Sequence, residues 1–143
     1  IRNELVTLKA GELFRIAREN LQKQEHENLE ETVIHAVDII IEQLNADHTL
    51  LEFIAKNLQW GLFHHVLLEG GNEVSTSFFD WYSELIQRSG RKFRNHEFII
   101  YMIVELVNST CYNVILHGEP VGLDELKKEL HQLIPVIIKN QEV

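Results

Sequence analysis

Eight histidines, a single cysteine and a short basic run are the residues of this 143-residue chain that invite a chemical reading. A metal site on a helical scaffold needs ligands three or four residues apart, so that they share one face. No Glu-x-x-His pair and no His-Glu-x-x-His motif occurs, so neither the di-metal carboxylate helix nor the zincin helix is present. His64 and His65 are adjacent, which on a helix turns their side chains about 100° apart. One cysteine excludes a thiolate zinc site of the usual kind. Cys111 lies within an apolar stretch and reads as a small buried hydrophobe, not as a nucleophile. Gly70-Gly71 reads as a helix stop, because no strand precedes it to make a phosphate loop. Arg88, Arg91, Lys92 and Arg94 form the one dense basic cluster, and beside Gly90 they read as a solvated inter-helix loop. No metal, cofactor or enzymatic activity is expected.

A second set of residues points to binding. Phe53, Asn57, Trp60 and His64 (or Phe63) recur at helical spacing. Phe78, Trp81, Tyr82 and Leu85 do the same in a later segment. Tyr101, Glu105, Asn108 and Tyr112 form the polar side of an otherwise apolar stretch. A mostly apolar cavity with a few polar groups is the arrangement that holds a small molecule. The expected ligand set is therefore Phe53, Asn57, Trp60, His64, Phe78, Trp81, Tyr82, Tyr101, Glu105 and Asn108. The competing reading is that the aromatics are simply core.

The elements that must position these residues are helical. Two prolines and seven glycines punctuate the chain, strand-type alternation is absent, and the apolar period is that of a helix nearly throughout. A first helix is expected from about Asn3 to Gln24, burying Leu5, Leu8, Leu13, Ile16, Ala17 and Leu21. A second, from about Asn28 to Leu44, buries Val33, Ile34, Val37, Ile40, Ile41 and Leu44. Asp47 caps a third that reaches roughly Leu68, with Gly61 inside it. Ser75 or Thr76 caps a fourth, ending at Ser89-Gly90. The fifth runs from an N-cap at Asn95 to a stop at Gly118. The sixth carries Leu123, Leu126, Leu130, Leu133, Ile134 and Ile137 on one seam, and Pro135 is expected to kink it. The fold class is all-α, a single domain built as a bundle of about six helices.

The fifth helix is the centre of this reading. Its apolar arc is wider than the ~100° stripe that one neighbouring layer covers. It is expected to be buried on more than one side, either inside the bundle or against a second copy. Ile100→Glu or Val107→Glu would then break a dimer or cause misfolding.

Composition narrows the class of partner. With 22 acids against 13 bases the formal net charge is -9, which repels phosphate backbones and makes these residues a poor nucleic-acid surface. The apolar runs are each interrupted within about ten residues, short of the ~20 that a bilayer needs, so no membrane contact is expected. With one cysteine, a reducing cytoplasm is the expected compartment. The chain opens on Ile1 and is expected to be part of something longer.

Three stretches together carry a resemblance. They are His48-Thr49-Leu50-Leu51-Glu52-Phe53-Ile54-Ala55-Lys56-Asn57-Leu58-Gln59-Trp60, then Phe98-Ile99-Ile100-Tyr101-Met102-Ile103-Val104-Glu105-Leu106-Val107-Asn108, and the turn Leu116-His117-Gly118-Glu119-Pro120 leading into the sixth helix. In this order the chain resembles the C-terminal ligand-binding and dimerisation domain of TetR-family transcriptional regulators. The resemblance implies a homodimer, a small and partly apolar ligand inside the bundle, and DNA contact only through an N-terminal helix-turn-helix head that this sequence does not contain. It also implies that the last two helices form the dimer contact, through Ile100, Val104, Val107, Cys111, Ile115, Leu126, Leu130, Leu133 and Ile137. The alternative function is a helical-bundle protein-interaction module with no small-molecule site.

Overall fold

The computed structural model describes residues 2–21, 28–57 and 73–143. Six helices lie in this part of the chain: α1 (Arg2–Leu21), α2 (Leu29–Ala46), α3 (His48–Asn57), α4 (Glu73–Ser89), α5 (His96–His117) and α6 (Leu123–Gln141). The architecture is the expected all-α bundle. The sole β pairing among the described residues is an isolated antiparallel bridge between Phe93 and Glu142.

Local chemistry sets most of the helix ends. The Asn28 Oδ1 accepts from the Glu31 N–H at 2.8 Å, the Asp47 Oδ1 from Leu50 N–H at 3.0 Å, and the Asn95 Oδ1 from Phe98 N–H at 3.2 Å. Each such cap stabilises its helix by about 1 kcal/mol, because it satisfies a donor that has no partner inside the helix. At the other end of α5, Gly118 adopts φ +67°, and its N–H donates to the Val114 carbonyl at 2.9 Å. A side chain there would be strained, which is why glycine stops the helix. The α4 expectation needs correction. That helix begins at Glu73, so Ser75 and Thr76 lie in its first turn and are not caps. Helix α6 runs through Pro135 to Gln141 as one element.

Two clusters of buried side chains hold the bundle together. The larger joins α2, α5 and α6 through Leu29, Val33, Val37 and Ile41, through Ile99, Ile103, Val107, Cys111 and Val114, and through Leu126, Leu130, Ile134 and Ile138. The smaller joins α1, α2 and α3 through Leu13, Leu44, Leu51 and Ile54, and Phe53, Tyr112, Ile115 and Leu116 pack against it. Helix α5 therefore packs on α6, α3 and α2 within one chain, which fits the wide apolar arc read from its sequence. Two apolar residues assigned to seams lie outside them. Leu8 is 68% exposed and Leu133 is 42% exposed. Leu5 and Leu21 have side chains outside the described set.

The run-length argument against a membrane span also needs correction. Helix α5 has 22 residues, about 33 Å at 1.5 Å per residue, and by length and composition alone it is long and apolar enough to cross a bilayer. Single polar residues such as Glu105 and Asn108 interrupt the runs without lowering the average. Its setting is a bundle of amphipathic neighbours, with one face in the α2/α5/α6 core.

Candidate functional site

The expected ligand residues fall into three groups in the structure. Trp60 and His64, like Phe63, Gly61 and the 58–72 stretch as a whole, lie outside the described residues, as does the side chain of Phe78. Phe53 of α3 and Tyr112 of α5 both pack against the smaller cluster. Asn57, one turn beyond Phe53, turns its amide back and donates to the Phe53 carbonyl at 2.8 Å. On the same flank of α5, Tyr101 and Asn108 are half-buried, while Glu105 is exposed. The Asn108 Oδ1 is buried and has no hydrogen-bond partner.

Tyr82 belongs elsewhere. It is 4% exposed, its hydroxyl donates to the His96 carbonyl at 2.6 Å, and its ring meets the His96 imidazole edge-on at 5.8 Å. Burial pushes its phenol well above the ordinary range, and the nearby Glu97 charge adds to the effect. This tyrosine ties α4 to the first turn of α5 and so acts as a strut. Trp81, its neighbour in sequence, is half-buried.

The residues expected at a dimer contact divide in the same way. Ile100, Val107, Cys111, Leu126 and Leu130 are buried within this one chain, and Cys111 and Leu130 have almost no accessible surface. Val107, Cys111, Leu126 and Leu130 belong to the core shared by α2, α5 and α6. Val104, Ile115 and Ile137 are half-buried, and Leu133 is exposed. The large apolar residues that do reach solvent on the last two helices are Phe98 and Met102 on α5, and Leu133 and Val136 on α6. Phe98 and Met102 share a stripe with Glu105 and Ser109, at spacings of four, three and four. That spacing is visible in the sequence, but a helix apolar around most of its circumference gives no way to choose its inner side.

The position of α2 fixes which way the α6 pair faces. On α6, His131 Nε2 lies 2.8 Å from both carboxylate oxygens of Asp38 on α2. Leu133 and Val136 follow at two and five residues, roughly 140–200° around the helix. They therefore occupy the side of α6 turned away from α2.

The basic cluster has become a clasp. Arg91 donates to Glu30 in the first turn of α2 at 2.6 Å and, in a fork, to both carboxylate oxygens of Glu142 at 2.9 Å. Its guanidinium also lies over the Phe93 ring at 5.4 Å. Alongside, the Arg94 N–H donates to the Gln141 carbonyl and the Val143 N–H to the Lys92 carbonyl, each at 2.8 Å, and the Arg94 guanidinium donates to the Asn140 carbonyl. Burial raises the Glu30 carboxyl, but the Arg91 hydrogen bond and the positive charges of Arg91 and Lys139 hold it below the usual range on balance. Glu142 is held low chiefly by the Arg91 hydrogen bond. The expectation of a solvated loop is corrected at Arg91, whose partners are 61 and 51 residues away in sequence. Sequence reading had no local signal for either.

Burial also pushes the Cys111 thiol up to about 11, which leaves it unreactive at neutral pH. Among the described residues, no three His, Cys, Asp or Glu side chains converge as metal ligands. Comparison of the chain with known protein families, with characterised proteins and with solved structures finds no match.

Proposed function

We propose that this chain is the effector-binding and dimerisation domain of a TetR-like transcriptional regulator of the cytoplasm, working as a homodimer. DNA is contacted through an N-terminal head outside these 143 residues. The observation that carries the reading is the final helix pair. Its inner faces are closed by the chain's own core, while Phe98, Met102, Leu133 and Val136 stay in solvent. Exposed large apolar residues gathered on two adjacent helices are the usual mark of a protein contact. A second copy related by a two-fold axis would cover them with the same four residues, giving an isologous four-helix interface. A small and partly apolar ligand enters on the α3 side of α5. It shifts the domain between two arrangements, to the extent that it binds one better than the other. The domain itself catalyses no reaction.

The test is sedimentation equilibrium at micromolar concentration. A dimer is expected for the natural sequence, and a folded monomer with unchanged helical circular dichroism for the double variant Met102→Glu, Val136→Glu. The buried Ile100 and Val107 are unsuitable for this purpose, because a charge there would disrupt the fold itself. A monodisperse monomer of the natural sequence would overturn the reading.

A further inference from the structure

Asn108 carries the one buried side-chain oxygen on α5 that has no hydrogen-bond partner. It stands four residues before Tyr112 and seven before Ile115, both of which pack against the α3 cluster. Residues at these spacings share a helix side, so Asn108 lies on the flank of α5 that faces α3. Beside Asn108 the flank carries Val104 one turn away and Tyr101 two turns before it, with the exposed Glu105 at its edge. Removing a carbonyl oxygen from water without giving it a partner is costly, and native proteins rarely leave one so. Helical neighbours offer it nothing, since the backbone N–H groups of a helix interior are already engaged. Thr110 and Asn113, by contrast, turn their polar groups back onto the Leu106 and Ser109 carbonyls. Among the polar side chains of α5, Asn108 keeps a buried oxygen without a partner.

We infer that the Asn108 Oδ1 is the polar anchor of the effector site, and that it selects a ligand that is not anionic, with an apolar body and an N–H or O–H donor. The inference rests on the ligand-binding half of the proposed function. Donor chemistry follows from the acceptor. Exclusion of anions follows from the surroundings: α5 contains no Lys or Arg, Glu105 stands three residues from Asn108, and the chain carries a net charge of -9. An anionic ligand would meet no countercharge on this helix. A satisfied acceptor is worth far more than an orphaned one, so the site discriminates strongly between a donor and its blocked analogue.

Two measurements test this, and neither depends on the oligomeric state, which sedimentation decides separately. In the first, Asn108→Leu replaces the stranded amide by an apolar group of similar size and is melted beside the natural sequence at equal concentration. A rise in Tm of about 2–4 °C is expected, whereas an unchanged or lower Tm means that solvent already satisfies the oxygen and overturns the inference. The second titrates the natural sequence and Asn108→Leu with phenol and with anisole, the same ring with and without a donor, and follows the backbone amide resonances of α5. Phenol is expected to bind about tenfold more tightly, and the preference to vanish in Asn108→Leu. Equal affinity, a preference for anisole or binding of neither probe overturns it.

Discussion

The inner and outer sides of the α5–α6 pair are built from the same kinds of residue and have opposite fates. Inside, Leu126, Leu130, Ile134 and Ile138 repeat every fourth residue along α6 and close on Ile99, Ile103, Val107, Cys111 and Val114. Outside, Leu133 and Val136 on one helix and Phe98 and Met102 on the other are equally apolar and stand in solvent. Hydrophobicity alone does not separate the two sides. What separates them is the position of α2, which takes one flank of α6 through the His131–Asp38 contact and through the shared core. The opposite flank is left for something else. An apolar residue is thus evidence of a contact, and the fold decides whether the contact lies within the chain or beyond it.

The comparison is broken most sharply by two leucines three residues apart. Leu130→Ala removes a side chain that is 1% exposed, and it should lower the unfolding free energy by about 2–5 kcal/mol through lost burial and the cavity left behind. Leu133→Ala, made in the protein at concentrations where it is monomeric, should change it by about 0.5 kcal/mol or less. Urea denaturation measures both. Similar losses would mean that the inner and outer sides are not distinct.

Cys111 sharpens the same contrast from the chemical side. Its folded pKa of about 11 stands above the ordinary 9.0. For an acid whose pKa is raised by folding, the stabilisation is complete below the unfolded value and is lost as pH rises between the two. Stability should therefore fall from pH 9.0 towards about 11, and a Cys111→Ala variant should lose the part of that slope below pH 10.0, above which the buried Tyr82 phenol adds its own. Thiol labelling at neutral pH should proceed at the rate of unfolding. Prompt labelling in the folded state would place Cys111 outside the core.

The smallest effect belongs to the clasp that closes the end of the pair. Glu30 and Glu142 have pKa values held below their ordinary 4.5. Their contribution is present above that value and is lost as the pH falls through the lower folded values. Arg91→Met should lower Tm by about 1–4 °C at neutral pH. Below pH 4.5 the difference from the natural sequence should shrink as the carboxylates protonate. A deficit that does not depend on pH would assign the role of Arg91 to its contact with Phe93 and not to charge.

The legible part of this protein is the part encoded over short distances. Caps at Asp47 and Asn95 and the stop at Gly118 depend on backbone groups within four residues, so each could be placed from composition and spacing. The all-α class follows from the same periodicity. The seam of α6 was nearly right and failed at Leu133, because Leu133 and Ile134 are neighbours on the wheel's apolar side and only packing chooses between them. The spacing of Tyr82 with Phe78 and Leu85 suggests a ligand wall. The Tyr82 hydroxyl found the His96 carbonyl 14 residues on, a pairing that no local pattern announces.

The sequence by itself determined that this chain is helical, that caps stand at Asp47 and Asn95 with a stop at Gly118, and that α5 is too apolar for one neighbour. Tertiary structure alone decided which side of α5 is core and which faces α3. It also decided that Asn108 keeps a buried oxygen without a partner and that Arg91 reaches two acids more than 50 residues distant. The reason is physical. Helix formation and capping are satisfied by groups a few residues apart, whereas the orientation of an all-round apolar helix and the partners of a buried charge are fixed only when distant segments exclude water together.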